Sequence, residues 1–164
     1  MIDKEEQLRR ITNGTLDPAE LEGLVGISYV IDRAVASHPF ANNIILKLLS
    51  VSPDIQTRRH VIKNPNVEQT IILSLASEFP HDFFTHPMLP FMLLEDPEVL
   101  RNLKPGALQV FLGSDDCSQA LVMFATRNGS QGEQMAVLRR TDVKLDIVEL
   151  LTKSQFPRVA ESAF

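Results

Sequence analysis

Ten prolines spread through 164 residues set the strongest constraint on this chain. A proline inside a helix removes a backbone donor and clashes with the preceding turn, so long uninterrupted helices are excluded. Between the prolines, apolar residues recur at spacings of three and four: Leu21, Leu24, Val25; Ile45, Leu46, Leu49; Ile71, Ile72, Leu75, Ala76; Ile147, Val148, Leu150, Leu151. No segment alternates with period two. Tyr29-Val30-Ile31 has strand propensity but runs into Ala34 and Val35 at helical spacing. The pattern predicts an all-α chain of helices about 7 to 12 residues long. Asp3 with Glu6, and Asp17 with Glu20 behind Pro18, have capping-box spacing. Pro53-Asp54, Asp96-Pro97 and Ser114-Asp115-Asp116 read as further helix starts.

The prolines also mark a repeat. Arg33-Ala34-Val35-Ala36-Ser37-His38-Pro39 superposes on Arg59-His60-Val61-Ile62-Lys63-Asn64-Pro65, apolar pair on apolar pair and polar-Pro stop on stop. Seven residues past each proline lie Leu46 and Ile72, and ten past lie Leu49 and Leu75. The same count from Gly14 reaches Leu21 and Leu24; from Pro87 it reaches Leu94 and then Pro97. From Pro105 the seventh residue is Leu112, and from Asn128 the seventh and tenth are Met135 and Leu138. Anchors at 14, 39, 65, 87, 105 and 128 give spacings of 25, 26, 22, 18 and 23. A period of about 20 to 50 residues is the signature of stacked repeats that cannot bury their apolar faces alone.

The segments Val35–Pro39, Val61–Val67 and Asn13–Leu21, with their following Leu or Ile, resemble the leucine-rich repeat variant. That resemblance covers roughly residues 10 to 140 and implies a right-handed α-solenoid of about six short two-helix repeats, related to HEAT and armadillo arrays. It also implies an interaction scaffold. The cysteine-rich iron–sulfur segment of some members does not transfer, because Cys117 is the single cysteine. The expected organisation is one domain over 1–164: a cap over 1–12, repeats over 13–140, a cap helix over 141–153 and a tail over 154–164. The tail either stays disordered or docks on its own chain or on a partner.

Individual clusters carry little catalytic signal. His81 and His86 lie five apart, which on a helix separates them by about 140°. His38 and His86 share the repeat position before the proline and suit a turn cap or a stacked polar row better than a metal site. Glu95-Asp96 and Asp115-Asp116 fall at expected helix starts, where exposed amides favour negative charge, and Asp142 and Asp146 fall on an expected exposed face. Cys117 precedes an apolar helix and reads as a small buried residue. Gly129-Ser130-Gln131-Gly132 is too short for a phosphate loop and lacks its lysine. Phe79, Phe83, Phe84 and Phe91 read as core, with an apolar peptide groove as the alternative. No catalytic set, metal or cofactor is expected.

Arg9-Arg10, Arg139-Arg140 and Arg58-Arg59-His60 are the basic clusters, each able to meet acidic groups or to serve as ordinary solvated charge. The stem of Arg59 is also long enough to cover the next repeat. With 21 acids against 16 bases, no tryptophan and one tyrosine, phosphate contact and base stacking are both underprovided. Apolar runs such as Ile44 to Leu46 and Met92 to Leu94 are far shorter than the roughly 20 residues of a spanning helix. The start, Met1 to Glu6, is charged and has no hydrophobic signal core. These features predict a soluble cytoplasmic protein that binds a protein or peptide partner, with no membrane or nucleic acid as partner. The alternatives are a HEAT-like nucleic-acid-binding or DNA-repair protein, and a structural subunit of an oligomer. Arg58, Arg59, His60 and Lys63, all polar within one repeat, are the expected binding ridge. The expectation lapses if Arg58 and Arg59 are widely separated or buried in internal pairs.

Overall fold

A computed structural model of the chain describes residues 3–103 and 105–164, without the side chain of Asn102. Met1 and Ile2, the first residues of the expected 1–12 cap, lie outside the described residues. The fold is all-helical, with no strand among the described residues. The chain divides into two compact units, Met1–His86 and Pro87–Phe164.

The first unit contains α1 (Lys4–Thr12), α2 (Pro18–Glu22), α3 (Tyr29–Ala36), α4 (Asn43–Ser50), α5 (Ile55–Lys63), α6 (Gln69–Ala76) and α7 (Pro80–Phe84). Their starts are fixed locally. Asp17 and Glu20 form the expected capping box, with Pro18 at the first helical position. Ser28, Asn42 and Asp54 accept the amides of Ile31, Ile45 and Thr57. Asp3, by contrast, makes no side-chain cap bond. Gly14, at φ 67°, follows α1 in the left-handed conformation that costs glycine little.

The odd-numbered helices pack in a row, α1 on α3, α3 on α5 and α5 on α7, while α4 packs beside α6 and against α3 and α5. This arrangement explains the seven-and-ten spacing. Leu46, Leu49, Ile72 and Leu75 are all buried, together with Ile45 and Ile71 one position before the first of each pair. Val35, Ala36, Val61 and Ile62 bury the facing side of the odd row. Each fully buried aliphatic side chain contributes about 1.5–3 kcal/mol of transfer free energy.

The second unit contains α8 (Leu89–Glu95), a 3-10 helix (Val99–Asn102), α9 (Ala107–Phe111), α10 (Gln119–Asn128), α11 (Gln131–Leu138), α12 (Leu145–Leu151) and α13 (Pro157–Ser162). Here α9 packs on α11, α11 on α13, and α10 beside α12. The repeat register differs from the sequence expectation. The turns that close like those at His38 and Asn64 fall at Ser114 and Arg140, not at Pro105 and Asn128. The amide of His38 donates to Val35 O and that of Asn64 to Val61 O; in the second unit Ser114 donates to Phe111 O and Arg140 to Val137 O. Counting from the residue after each turn now reaches buried Val122 and Ala125 on α10, and half-buried Val148 with buried Leu151 on α12. Leu94, the expected inward residue of the fourth repeat, is exposed, and Met135 and Leu138 are only half-buried. The cause is that both helices of a two-helix unit carry apolar residues at three and four, so the count alone fits either helix.

Two expected starts also move. Ser114 Oγ accepts the Asp116 amide and closes a turn, and the cap of α10 is Ser118. Asp96 accepts the Glu98 amide and leads into the 3-10 helix rather than an α-helix. The tail is helical: α13 buries Val159 and packs on α11. Ser154 donates to Gln134, whose own amide donates to Thr126 O at 3.1 Å.

Candidate functional site

Arg58, Arg59, His60 and Lys63 all lie on α5. Arg58 donates to the Glu78 carboxylate, through Nε at 3.0 Å, and to Ser52 O. Arg59 Nε meets Asp82 Oδ2 at 2.7 Å, and Lys63 Nζ lies 3.2 Å from the other oxygen of the same carboxylate. His60 Nδ1 turns back to Ser37 Oγ at 2.8 Å. The fold thus brings Arg59 and Lys63 together on α7 and sends Arg58 and His60 elsewhere. Burial, with the nearby cations, holds the His60 imidazole below its ordinary range. All four residues bond within the chain, and Arg59 and Lys63 stay about half-exposed.

The clasp is itself repeated. Arg33, at the position of Arg59 one repeat earlier, grips Asp54 with Nε at 2.8 Å and Nη2 at 2.7 Å. This fork raises the Arg33 guanidinium and holds the Asp54 carboxyl below the usual carboxylate range. Asp54 also caps α5 through Thr57. One carboxylate therefore starts α5 and ties it to α3.

Beneath the clasps runs a buried polar step. Asn64 Nδ2 donates to Ala36 O at 2.8 Å and His38 O at 3.0 Å, reaching back 28 and 26 residues. His86 hydrogen-bonds the carbonyl of Ile62, the counterpart of Ala36 one repeat on. In the second unit Arg140 Nη1 donates to Leu112 O and Ser114 O at the same two offsets, 28 and 26. Arg140 also forks onto Asp142, with both bonds at 2.8 Å. One residue per turn thus satisfies the carbonyls left open where the preceding helix ends. His38 Nδ1 accepts the Phe40 amide at 3.1 Å, as Asn64 Oδ1 accepts that of Asn66 at 2.9 Å.

The other clusters separate by role. Arg10 pairs with Glu20 and Arg9 with Glu6. Cys117 is buried at the step held by Ala41 and Val67 in the first unit, and burial pushes its thiol up. Phe79, Phe83 and Phe84 are core; Phe91 is exposed. A concavity of about 500 Å³ in the second unit is lined by Leu100, Leu103, Phe124 and Phe156 with Ser130 and Glu133 at its edge. Ser130 and Glu133 there cap each other as a capping box. Among the described residues, no group of three or more His, Cys, Asp or Glu is placed to hold a metal ion. No helix among them is long and apolar enough to cross a membrane.

What sequence reasoning missed is the outer face of α4. Phe40, Ile44, Leu48, Val51 and Ile55 are each between 51% and 81% exposed. Ile44, Leu48 and Val51 share one helical face, opposite buried Ile45, Leu46 and Leu49. The signal was available: Asn43 to Leu49 holds more apolar residues than one inward face needs. Comparison with family models, curated proteins and solved structures finds no match for the chain.

Proposed function

We propose that this chain is a non-enzymatic cytoplasmic scaffold of the leucine-rich repeat variant type, a right-handed α-solenoid of about six repeats that holds a protein or peptide on its outer helix faces. The row packing of helices within each unit and the equal offsets of Asn64 and Arg140 support the repeat architecture. The observation that carries the binding role is the uncovered apolar face of α4. A stripe of adjacent large apolar side chains at i, i+4 and i+7 is the pattern by which a helix face engages another chain. The chemistry that would argue for an enzyme is spent on structure: Asp54, Asp82 and Asp142 are bound by arginine or lysine.

The test is affinity capture with the full chain and a Leu48→Glu variant of equal helicity. A protein retained by the wild type and lost from the variant supports the scaffold. Salt-sensitive retention of duplex DNA instead, or no protein retained at all, overturns it. Sedimentation across a concentration series identifies the oligomer subunit, which would show association without any other protein.

A further inference from the structure

We infer that the outer face of α4 receives an acidic amphipathic helix from another protein, with Lys47 as the charged anchor; this rests on the scaffold role proposed above. The repeat alignment supplies the first observation. Shifted by the 26 residues that separate His38 from Asn64, Ile44, Leu48 and Val51 become Thr70, Ser74 and Ser77, all exposed on or beside α6. The architecture therefore places no demand for apolar side chains at these positions. On α6 they are polar and solvated; on α4 all three are aliphatic.

The second observation is charge. Between Phe40 and Ile55 the only ionisable side chains are Lys47 and Asp54. The Asp54 carboxylate is taken by Arg33 and Thr57. Lys47 is exposed, makes no ion pair among the described residues, and flanks the apolar stripe three residues past Ile44. The stretch from Phe40 to Ile55 thus offers one unpaired positive charge amid aliphatic carbon, its one carboxylate being already engaged. Its complement is a surface with apolar side chains and a carboxylate near the middle. From Ile44 to Val51 the stripe is about 10 Å long at 1.5 Å per residue, two turns of a partner helix.

The same charge argues against a second copy of this chain. A two-fold contact presents one patch to itself. Lys47 lies midway along the 44–51 stripe and α4 holds no carboxylate, so α4 packed on α4 brings two ammonium groups into one interface with no acid of either helix to meet them.

A displayed library of helical peptides, selected on the full chain and counter-selected on Leu48→Glu, tests the assignment. Recovered peptides are expected to carry apolar residues at i, i+3 or i+4 and i+7 with an aspartate or glutamate beside them. Binding of a recovered peptide, followed by fluorescence anisotropy, should weaken about fivefold or more with Lys47→Glu. Exchanging the peptide's acid for lysine should restore it. Circular dichroism confirms that both variants remain folded. Selected peptides without acids, or indifference to Lys47→Glu, would overturn the inference. So would a self-association strengthened by that substitution. Peptides or lysate proteins that bind equally to wild type and Leu48→Glu end this inference but leave a scaffold with another face. Failure of both library and lysate to yield any binder ends the scaffold reading too.

Discussion

His38 and Asn64 occupy the same step of successive repeats, yet only the histidine can take up a proton. Its Nδ1 accepts the Phe40 amide, which puts the ring proton on Nε2, and Nε2 is buried without a hydrogen-bond partner among the described residues. Burial holds His38 below the ordinary imidazole range. The unfolded chain therefore binds that proton more readily than the folded one. Stability from this source is complete above pH of about 6.5 and is lost as pH falls through the lowered folded value. His86, also lowered by burial, adds in the same direction. Urea midpoints should fall between pH 7.5 and 5, and His38→Asn, which copies Asn64, should flatten that slope. The Asp54 carboxylate, held low by Arg33, contributes a separate loss that begins as pH falls through the ordinary carboxylate range and continues down to its lowered folded value. Cys117 gives a second residue-scale expectation. A buried thiol with a raised pKa stays protonated near neutrality, so a thiol reagent should label it only on unfolding. Cys117→Ala, the residue of the equivalent Ala41 step, should lower stability by less than about 1.5 kcal/mol.

At the scale of elements, what ties one helix pair to the next is polar as well as apolar. Asn64 satisfies two carbonyls at the end of α3 and the following turn, and Arg140 does so behind α9. Removing the donor leaves buried acceptors open, which costs about 1–3 kcal/mol per group. Asn64→Ala should therefore destabilise the first unit by about 2–4 kcal/mol, visible as a lowered midpoint in thermal circular dichroism. Arg140→Ala should do the same in the second. The exposed clasps are weaker: Asp82→Asn, which releases half-exposed Arg59 and Lys63, should cost about 1 kcal/mol or less. An ordering with Asp82→Asn as the more damaging substitution would show that the clasps, not the buried steps, hold the repeats.

For the whole molecule, the decisive quantity is how many cations are left for a partner. Arg10, Arg33, Arg58, Arg59 and Arg140 all meet carboxylates of the same chain, whose net charge is −5. Phosphate-backbone affinity scales with the cations a protein can commit. Fluorescence anisotropy of a labelled duplex should stay flat to about 100 µM protein at low salt, weaker than ordinary non-specific binding. Saturable binding that disappears with salt would return the DNA-binding alternative to consideration.

The sequence alone determined the all-helical class, the helix starts at Pro18 and Ile55, and the inward residues of α4 and α6, while Leu24 is only half-buried. These depend on spacings of three and four and on caps within three residues, both local properties. The repeat register was legible at His38 and Asn64, where a proline follows the polar stop, but not past His86-Pro87, where the seventh residue, Leu94, is exposed. It was lost at Ser114 and Arg140, where the closing residue is followed by Asp115 and Thr141. There the turn is defined by what Arg140 reaches 28 residues away, which no local pattern carries. The basic cluster on α5 shows the same division: its charge is written in the sequence, but Glu78 and Asp82, which pair with Arg58, Arg59 and Lys63, are brought to it only by folding. The face of α4 is the converse. Its aliphatic residues are plain in the sequence, and only the packed structure separates those that line the interior from those that meet water.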